Sequence, residues 1–201
     1  MPAPPDALMP ERLDTGERRT PAITTGPASA RPAAVLVLVV PSSDAPDADA
    51  EVVLIRRVDR GGHHAGDIAL PGGRFEAEDA GSAAAAALRE AIEEVGLDPV
   101  AAGVRVIGEL EPFWIPISDY RVTPVLAIAA RRPLLVPAPD EVTEVLTAPL
   151  TAFLPDAPIE MVETEVRNFR LRFGAYPTSG IRVWGATARI LGQLGAIVGQ
   201  D

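Results

Sequence analysis

Cysteine is absent from this 201-residue chain. That excludes a disulfide framework, a thiolate zinc site and a cysteine nucleophile. Lysine is absent as well: all 18 basic residues are arginine, set against 28 Asp and Glu, for a formal net charge of −10. A chain this acidic offers no global field to nucleic-acid phosphates, so no nucleic-acid partner is expected. No early apolar run approaches a membrane span; the longest, Ala33 to Val40, is far too short. The first 30 residues carry prolines and charges where a signal peptide needs an apolar core, which points to a cytoplasmic protein without a membrane partner. No internal repeat is visible. What remains is 47% hydrophobic and 23% charged residues, the balance of a folded globular protein of ordinary domain size.

Five prolines precede Ala22 and no period emerges there, so residues 1–32 are expected to form a flexible N-terminal segment and residues 33–201 a single domain. Ala33 to Val40 is a continuous run rich in Val and Leu and reads as a buried strand. After the polar stretch from Pro41 to Ala50, residues Glu51 to Arg57 read as its hairpin partner. A glycine-rich stretch from Arg60 to Gly73 follows, with a short strand expected at Ile68–Leu70. Ser82 to Val95 is the clearest helix: Ser82 caps it, alanines and leucine favour it, and Gly96 with Pro99 beyond ends it. Further strands are expected at Val104–Leu110, Arg121–Ala129 and Glu141–Thr147. A late hairpin follows from Glu160–Val166 and Phe169–Phe173, then a closing helix over Trp184–Val198. This mixture predicts an α/β fold built on a mixed sheet.

Glu90, Glu93 and Glu94 stand at i, i+3 and i+4, on one face of that helix. Like charges so placed oppose the helix by roughly 0.2–0.5 kcal/mol per pair, and they sit at the negative end of its dipole. Arg89 neutralises one at most. A divalent cation balances the rest, and oxygen-only ligands favour Mg²⁺ or Mn²⁺ over zinc. Upstream, Leu70-Pro71-Gly72-Gly73-Arg74 is placed to fold back over the helix, and paired glycines allow close backbone approach and a carbonyl ligand.

Gly73 to Leu97 resembles the Nudix box, G-x5-E-x7-R-E-U-x-E-E-x-G-U with U a bulky aliphatic. Gly73, Arg89-Glu90, Glu93-Glu94 and Gly96-Leu97 fit it. Asp79 stands where the pattern has its first glutamate, the interval from there to Arg89 is two residues longer, and Ala91 replaces an aliphatic residue. Over residues 33–195 the chain also resembles the coenzyme A pyrophosphatase branch of the Nudix hydrolases, whose leader is L-L-T-x-R-[SA]-x3-R-x3-G-x3-F-P-G-G. Arg57, Gly66 and Pro71-Gly72-Gly73 keep that spacing, while Val58, Gly62 and Leu70 depart from it. Ile115–Ser118, Arg121–Val125, Glu141–Val145 and Trp184–Leu191 resemble later blocks of the branch.

The resemblance implies an α/β/α sandwich and metal-dependent hydrolysis of a nucleoside diphosphate linked to another group, with coenzyme A or a derivative as the leading substrate. ADP-ribose, NADH or another nucleotide sugar or dinucleotide is the alternative, and a nucleotide-sensing module without turnover is a further one. It also implies Glu90, Glu93, Glu94 and the Gly73 carbonyl as metal ligands, with Arg89 supporting them. Homodimers are common in the family. The base stays open among Glu93, Glu94, Glu141 and Glu144. Glu141 is preferred because it follows a Pro-Ala-Pro-Asp turn, and strand alternation would put Glu141 and Glu144 on opposite sheet faces. Arg57, Arg60 and Arg74 suit phosphate contact, and His64 is a candidate substrate contact. Phe113, Trp114 and Tyr120 read as base-stacking or core residues, with core preferred for Trp114.

Overall fold

In chain order the strands are β1 (Glu11–Arg12), β2 (Arg31–Pro41), β3 (Ala50–Arg57), β4 (Ile68–Ala69), β5 (Gly72–Arg74), β6 (Val104–Glu109), β7 (Phe113–Ile115), β8 (Tyr120–Ala129), β9 (Val142–Pro149), β10 (Glu160–Val166), β11 (Phe169–Thr178) and β12 (Ile181–Val183). The helices are α1 (Ala83–Val95) and α2 (Gly185–Val198). The computed structural model describes residues 1–17, 26–59, 67–116, 118–166 and 169–200. The fold is α/β, a mixed sheet with two helices, in two compact units: Thr24–Leu150, and Met1–Ile23 with Thr151–Asp201.

The first unit is organised around β2. Its apolar residues need cover on both faces and partners on both edges. On one edge it pairs in parallel with β8, from Arg31 opposite Tyr120 to Val39 opposite Ile128. The other edge is shared. β3 pairs antiparallel with the C-terminal end of β2, from Val39 opposite Val52 to Pro41 opposite Ala50. The N-terminal end takes β5 instead, with Ala33, Ala34 and Val35 facing Arg74, Gly73 and Gly72. Gly72 and Gly73, at the end of the glycine-rich stretch, thus enter a strand, because an open sheet edge supplies partners that local propensity does not. β9 and β4 add to β3, and β6 and β7 add to β8. A bulge at Ile107 interrupts the pairing of β6 with β8, and such bulges re-aim an edge strand.

Helix α1 lies on this sheet through its small residues. Ala83, Ala86, Ala87, Ala91 and Val95 are buried against Ala34, Leu36, Leu38, Val53, Ile55, Val125 and Ala127. Alanines on the inner face bring the helix axis close to the strands. Ser82 accepts the Ala85 amide at 3.2 Å, and Gly96 at φ +63° closes the other end. The Gly96 amide donates to Ile92 and the Leu97 amide to Ala91, a Schellman ending that left-handed glycine permits.

In the second unit, β11 is central, flanked by β1 and β10, with β12 also paired to it. The expected late hairpin is present, and its second strand runs on to Thr178. Leu8 and Met9 in the N-terminal stretch are buried. Phe153 meets Tyr176 edge-on at 5.2 Å, and Trp184 stacks on Phe173 at 4.9 Å. Among the described residues no helix is long and apolar enough to cross a membrane.

Candidate functional site

The three acidic residues of α1 have unequal environments. Glu94 is 2% exposed. Its carboxylate accepts the Gly72 amide at 2.8 Å and stands 3.9 Å from the Arg57 guanidinium. Burial pushes the Glu94 carboxyl up to about 7; the Gly72 amide and Arg57 oppose this, while Glu90 and Glu141 add to it. The Glu90 carboxyl is also raised by burial, with Glu93 and Glu141 adding repulsion and Arg89 acting against it. Glu93 is turned outward, with its side chain 56% exposed and bonded to Arg89 at 3.0 Å. Helical spacing places these residues on one side; the depth of the sheet beneath decides that Glu94 is buried, Glu90 half-buried and Glu93 exposed.

Two glycines set the approach of β5 to the helix. Gly72 has φ +154°, and a side chain there would strike the Ala34 carbonyl and the Val35 backbone. At Gly73 a Cβ would overlap the Glu90 carboxylate. The Leu36 amide donates to the Pro71 carbonyl at 2.8 Å, which fixes the entry to the turn.

Arg89 is the hub of the surrounding charges. Its guanidinium donates to Asp79 at 3.2 and 3.3 Å, to the Arg74 carbonyl at 2.9 Å and to Glu93 at 3.0 Å. It also lies 3.1 Å from Glu90. These partners raise its affinity for the proton, Asp79 most of all. Asp79 is 3% exposed. The Arg89 guanidinium, and then the Glu76 amide donating at 2.7 Å, hold its carboxyl below the usual range. Asp79 therefore binds the arginine that holds Glu90. The Glu76-x-x-Asp79 spacing, a capping-box spacing, is the sequence signal for that anchor, and the box forms.

Among the other candidates, Arg57 is close to Glu94 as described. Arg74 is exposed and 3.5 Å from Glu76. Arg60 and His64 lie outside the described residues. Glu141 immediately precedes β9, and its charge reaches both Glu90 and Glu94. Glu144 pairs with Arg56 at 3.1 Å. The expected alternation between these two is interrupted: Arg57 faces Val142 and Arg56 faces Glu144, so Thr143 is an extra residue in β9. Phe113 is buried. Trp114 is half-buried and donates from Nε1 to Asp119 at 2.9 Å, and Arg31 lies over the Tyr120 ring at 4.2 Å.

Among the described residues, no three Asp, Glu or His side chains form a ready-made cage for a metal ion. The pair Glu90 and Glu94 nonetheless suits a hard divalent cation. Both are oxygen donors, Glu94 is buried and Glu90 half-buried, and burial raises both carboxyls. Mg²⁺ binds through one or two carboxylates and completes its shell with waters and substrate phosphates, which needs no closed cage.

Comparison with known proteins gives an independent line. Residues 30–165 match the family described as the NUDIX domain. The chain is 37% identical over 176 residues to "Nudix hydrolase 22, chloroplastic" of Arabidopsis thaliana, covering 84% of this chain and 55% of that protein. It is 36% identical over 167 residues to "Nudix hydrolase 15, mitochondrial" of the same plant, covering 79% of this chain and 55% of that one. A third relative, "Uncharacterized Nudix hydrolase NudL" of Salmonella heidelberg (strain SL476), is 35% identical over 179 residues, covering 89% of this chain and 88% of the other. The alignments thus span about half the length of the two plant relatives.

Proposed function

This chain belongs to the Nudix domain family, and from that premise we propose that it hydrolyses a nucleoside diphosphate linked to another group with the help of Mg²⁺ or Mn²⁺. The observation that carries the reading is the adjacent carboxylates of Glu90, half-buried, and Glu94, buried, packed under the Gly72–Gly73 strand. Glu94 in particular is a buried charge compensated by one amide at 2.8 Å and one guanidinium at 3.9 Å, a poor structural element. It is a good receptor for a cation.

Glu90 and Glu94 would hold the ion, with the Gly73 carbonyl and Glu93 as further oxygen donors. Bound there, it offsets the diphosphate charge and makes a coordinated water more acidic. Arg89 holds Glu90 and Glu93 in place. Arg57, Arg60 and Arg74 are the candidates for the diphosphate oxygens, and His64 for a further substrate contact. Glu141 takes the proton of the attacking water as its oxygen bonds to phosphorus. The anhydride P–O bond breaks and the leaving phosphate departs. Coenzyme A or a derivative is the substrate supported by the spacing of Arg57, Gly66 and Pro71-Gly72-Gly73, with 3′,5′-ADP and phosphopantetheine as products. The departures at Val58 and Gly62 favour a second reading, ADP-ribose, NADH or a related nucleotide.

Mass spectrometry of products from coenzyme A, ADP-ribose, NADH and a dinucleoside polyphosphate tests this, each with Mg²⁺, Mn²⁺ or chelator. Metal-dependent cleavage of coenzyme A that Glu93→Gln lowers on the order of 10²-fold is the expected result. Cleavage of another member of the panel transfers the assignment to it. No cleavage by folded protein overturns the hydrolase reading in favour of a nucleotide-binding module. In the same assay Gly73→Ala is expected to lower turnover by about 10²-fold, since the new Cβ must push the Glu90 carboxylate aside. Turnover within a factor of about three of the parent would show that Glu90 need not sit where it does.

A further inference from the structure

Between β8 and β9 the chain Pro133-Leu134-Leu135-Val136-Pro137-Ala138-Pro139-Asp140-Glu141 crosses the C-terminal end of α1. Of its apolar side chains Leu135 packs against the core, and the next residues on either side grip weakly. Leu134 is 86% exposed and Val136 59%. Pro133 and Leu135 border a cavity of about 240 Å³ with Val40, Val53 and Val145. Its backbone grips well: the Val136 amide donates to the Val95 carbonyl and the Ala138 amide to the Glu94 carbonyl, both at 2.9 Å. These bonds satisfy carbonyls that a helix end otherwise leaves open. The Ala138 carbonyl in turn accepts the Glu141 amide at 3.0 Å and the Val142 amide at 2.8 Å. Ala138 to Glu141 is therefore a β-turn with Pro139 at its second position, where the fixed φ of proline is favourable. The Val58 amide closes the far side by donating to the Glu141 carbonyl at 3.0 Å.

We propose that residues 133–141 are a positioning strap for the acidic site, with Ala138 as its joint: one face of that residue holds the turn of Glu94, the other holds Glu141. Two consecutive hydrogen bonds through a single residue then fix Glu141 relative to Glu90 and Glu94. The reach of the Glu141 charge to both Glu90 and Glu94 agrees with this placement. The inference rests on the proposed role of Glu141 as proton acceptor.

The test is a double-mutant cycle between the strap and Glu141. Ala138→Pro removes the amide that holds Glu94, Ala138→Gly retains it, and Pro139→Gly loosens the turn without removing any hydrogen bond. Each is made in the parent and in Glu141→Gln, with kcat, KM and Mn²⁺ affinity measured by titration. Ala138→Pro and Pro139→Gly are expected to lower kcat about tenfold with KM within about twofold, and to change neither kcat nor KM beyond about twofold in the Glu141→Gln background. Ala138→Gly is expected to stay within about threefold of the parent. Equal losses in both backgrounds, or none, overturn the strap. If Glu141→Gln itself loses no turnover, the assignment of the base is wrong and the strap falls with it. If no substrate is turned over at all, the hydrolase reading fails separately, and Mn²⁺ affinity decides. A weakening of about threefold by Pro139→Gly that vanishes without Glu141 then supports the strap, and its absence overturns it.

Discussion

Glu94→Gln is expected to make the metal-free protein more stable while removing metal-dependent turnover. Glu94 is buried, and its carboxyl titrates near 7 against an ordinary 4.5. A carboxyl raised in the fold favours the native state fully at pH below the unfolded value. That advantage disappears as the pH climbs through the folded value. The shift corresponds to about 3 kcal/mol given up between roughly pH 4.5 and pH 7. Gln has no proton to lose, and its amide oxygen can still accept the Gly72 N–H. Urea titrations of the metal-free proteins should therefore show the parent losing stability from pH 5 to pH 8 and the variant losing less. At pH 8 the variant should be ahead by on the order of 2 kcal/mol. Its turnover should fall on the order of 10²–10³-fold, and added Mn²⁺ should stabilise only the parent appreciably. A variant less stable than the parent at pH 8 would mean that Arg57 and the Gly72 amide already compensate the charge, and the argument for a cation at this position would lose its basis.

Arg89→Ala should have the largest effect on stability. The guanidinium reaches Asp79, Glu90, Glu93 and the Arg74 carbonyl at once. Removing it leaves the buried Asp79 and the half-buried Glu90 without their cation, and breaking one side of a buried ion pair costs about 3–5 kcal/mol. Lysine should recover little, because one ammonium cannot serve partners arranged around a planar fork. The acid limb tells the same story with opposite sign. The Asp79 carboxyl is held low, so its contribution is present above the unfolded value of 3.8 and lost as the pH falls through the folded one. Parent and variant should therefore converge in urea midpoint as the pH falls below 3.8 and the aspartate takes up its proton. A loss below about 1 kcal/mol at pH 7 would show that the clamp is a surface ion pair in effect.

Much of this architecture was legible because local and tertiary preferences coincide. The run Ala33–Val40 had to be a buried strand, and Ser82 and Gly96 bracket α1 as its caps require. The expected hairpin Glu51–Arg57 and the late one at Glu160–Val166 are both antiparallel ladders. What escaped is what depends on a distant partner. Gly72–Arg74 carries no strand propensity and is a strand only because β2 has an edge left open. Ile181–Val183 is too short to announce itself, and the extra residue at Thr143 cannot be seen without the register of β3. At the site, the helical face of Glu90, Glu93 and Glu94 followed from spacing. That Glu93 is outward and Glu94 buried did not, since burial depends on how far the sheet extends beneath the helix. Asp79 looked like a substitution of uncertain role. Its contacts with Arg89 and the Glu76 amide give it a role as an anchor for the arginine.

The parallel ladder between β2 and β8 has a consequence for the order of events during synthesis. Arg31 and Val39 pair with Tyr120 and Ile128, so the most apolar strand waits for nearly ninety residues of later chain before its second edge is covered. Contacts so distant in sequence close slowly. In the interval β2 has β3 and β5 along one edge and nothing on the other. The alanine face of α1 can shelter one side of the growing sheet, since that helix is complete well before Tyr120 leaves the ribosome. A nascent chain stalled after α1 would thus expose a run of valines and leucines along an open edge, the kind of segment that aggregates or recruits a chaperone.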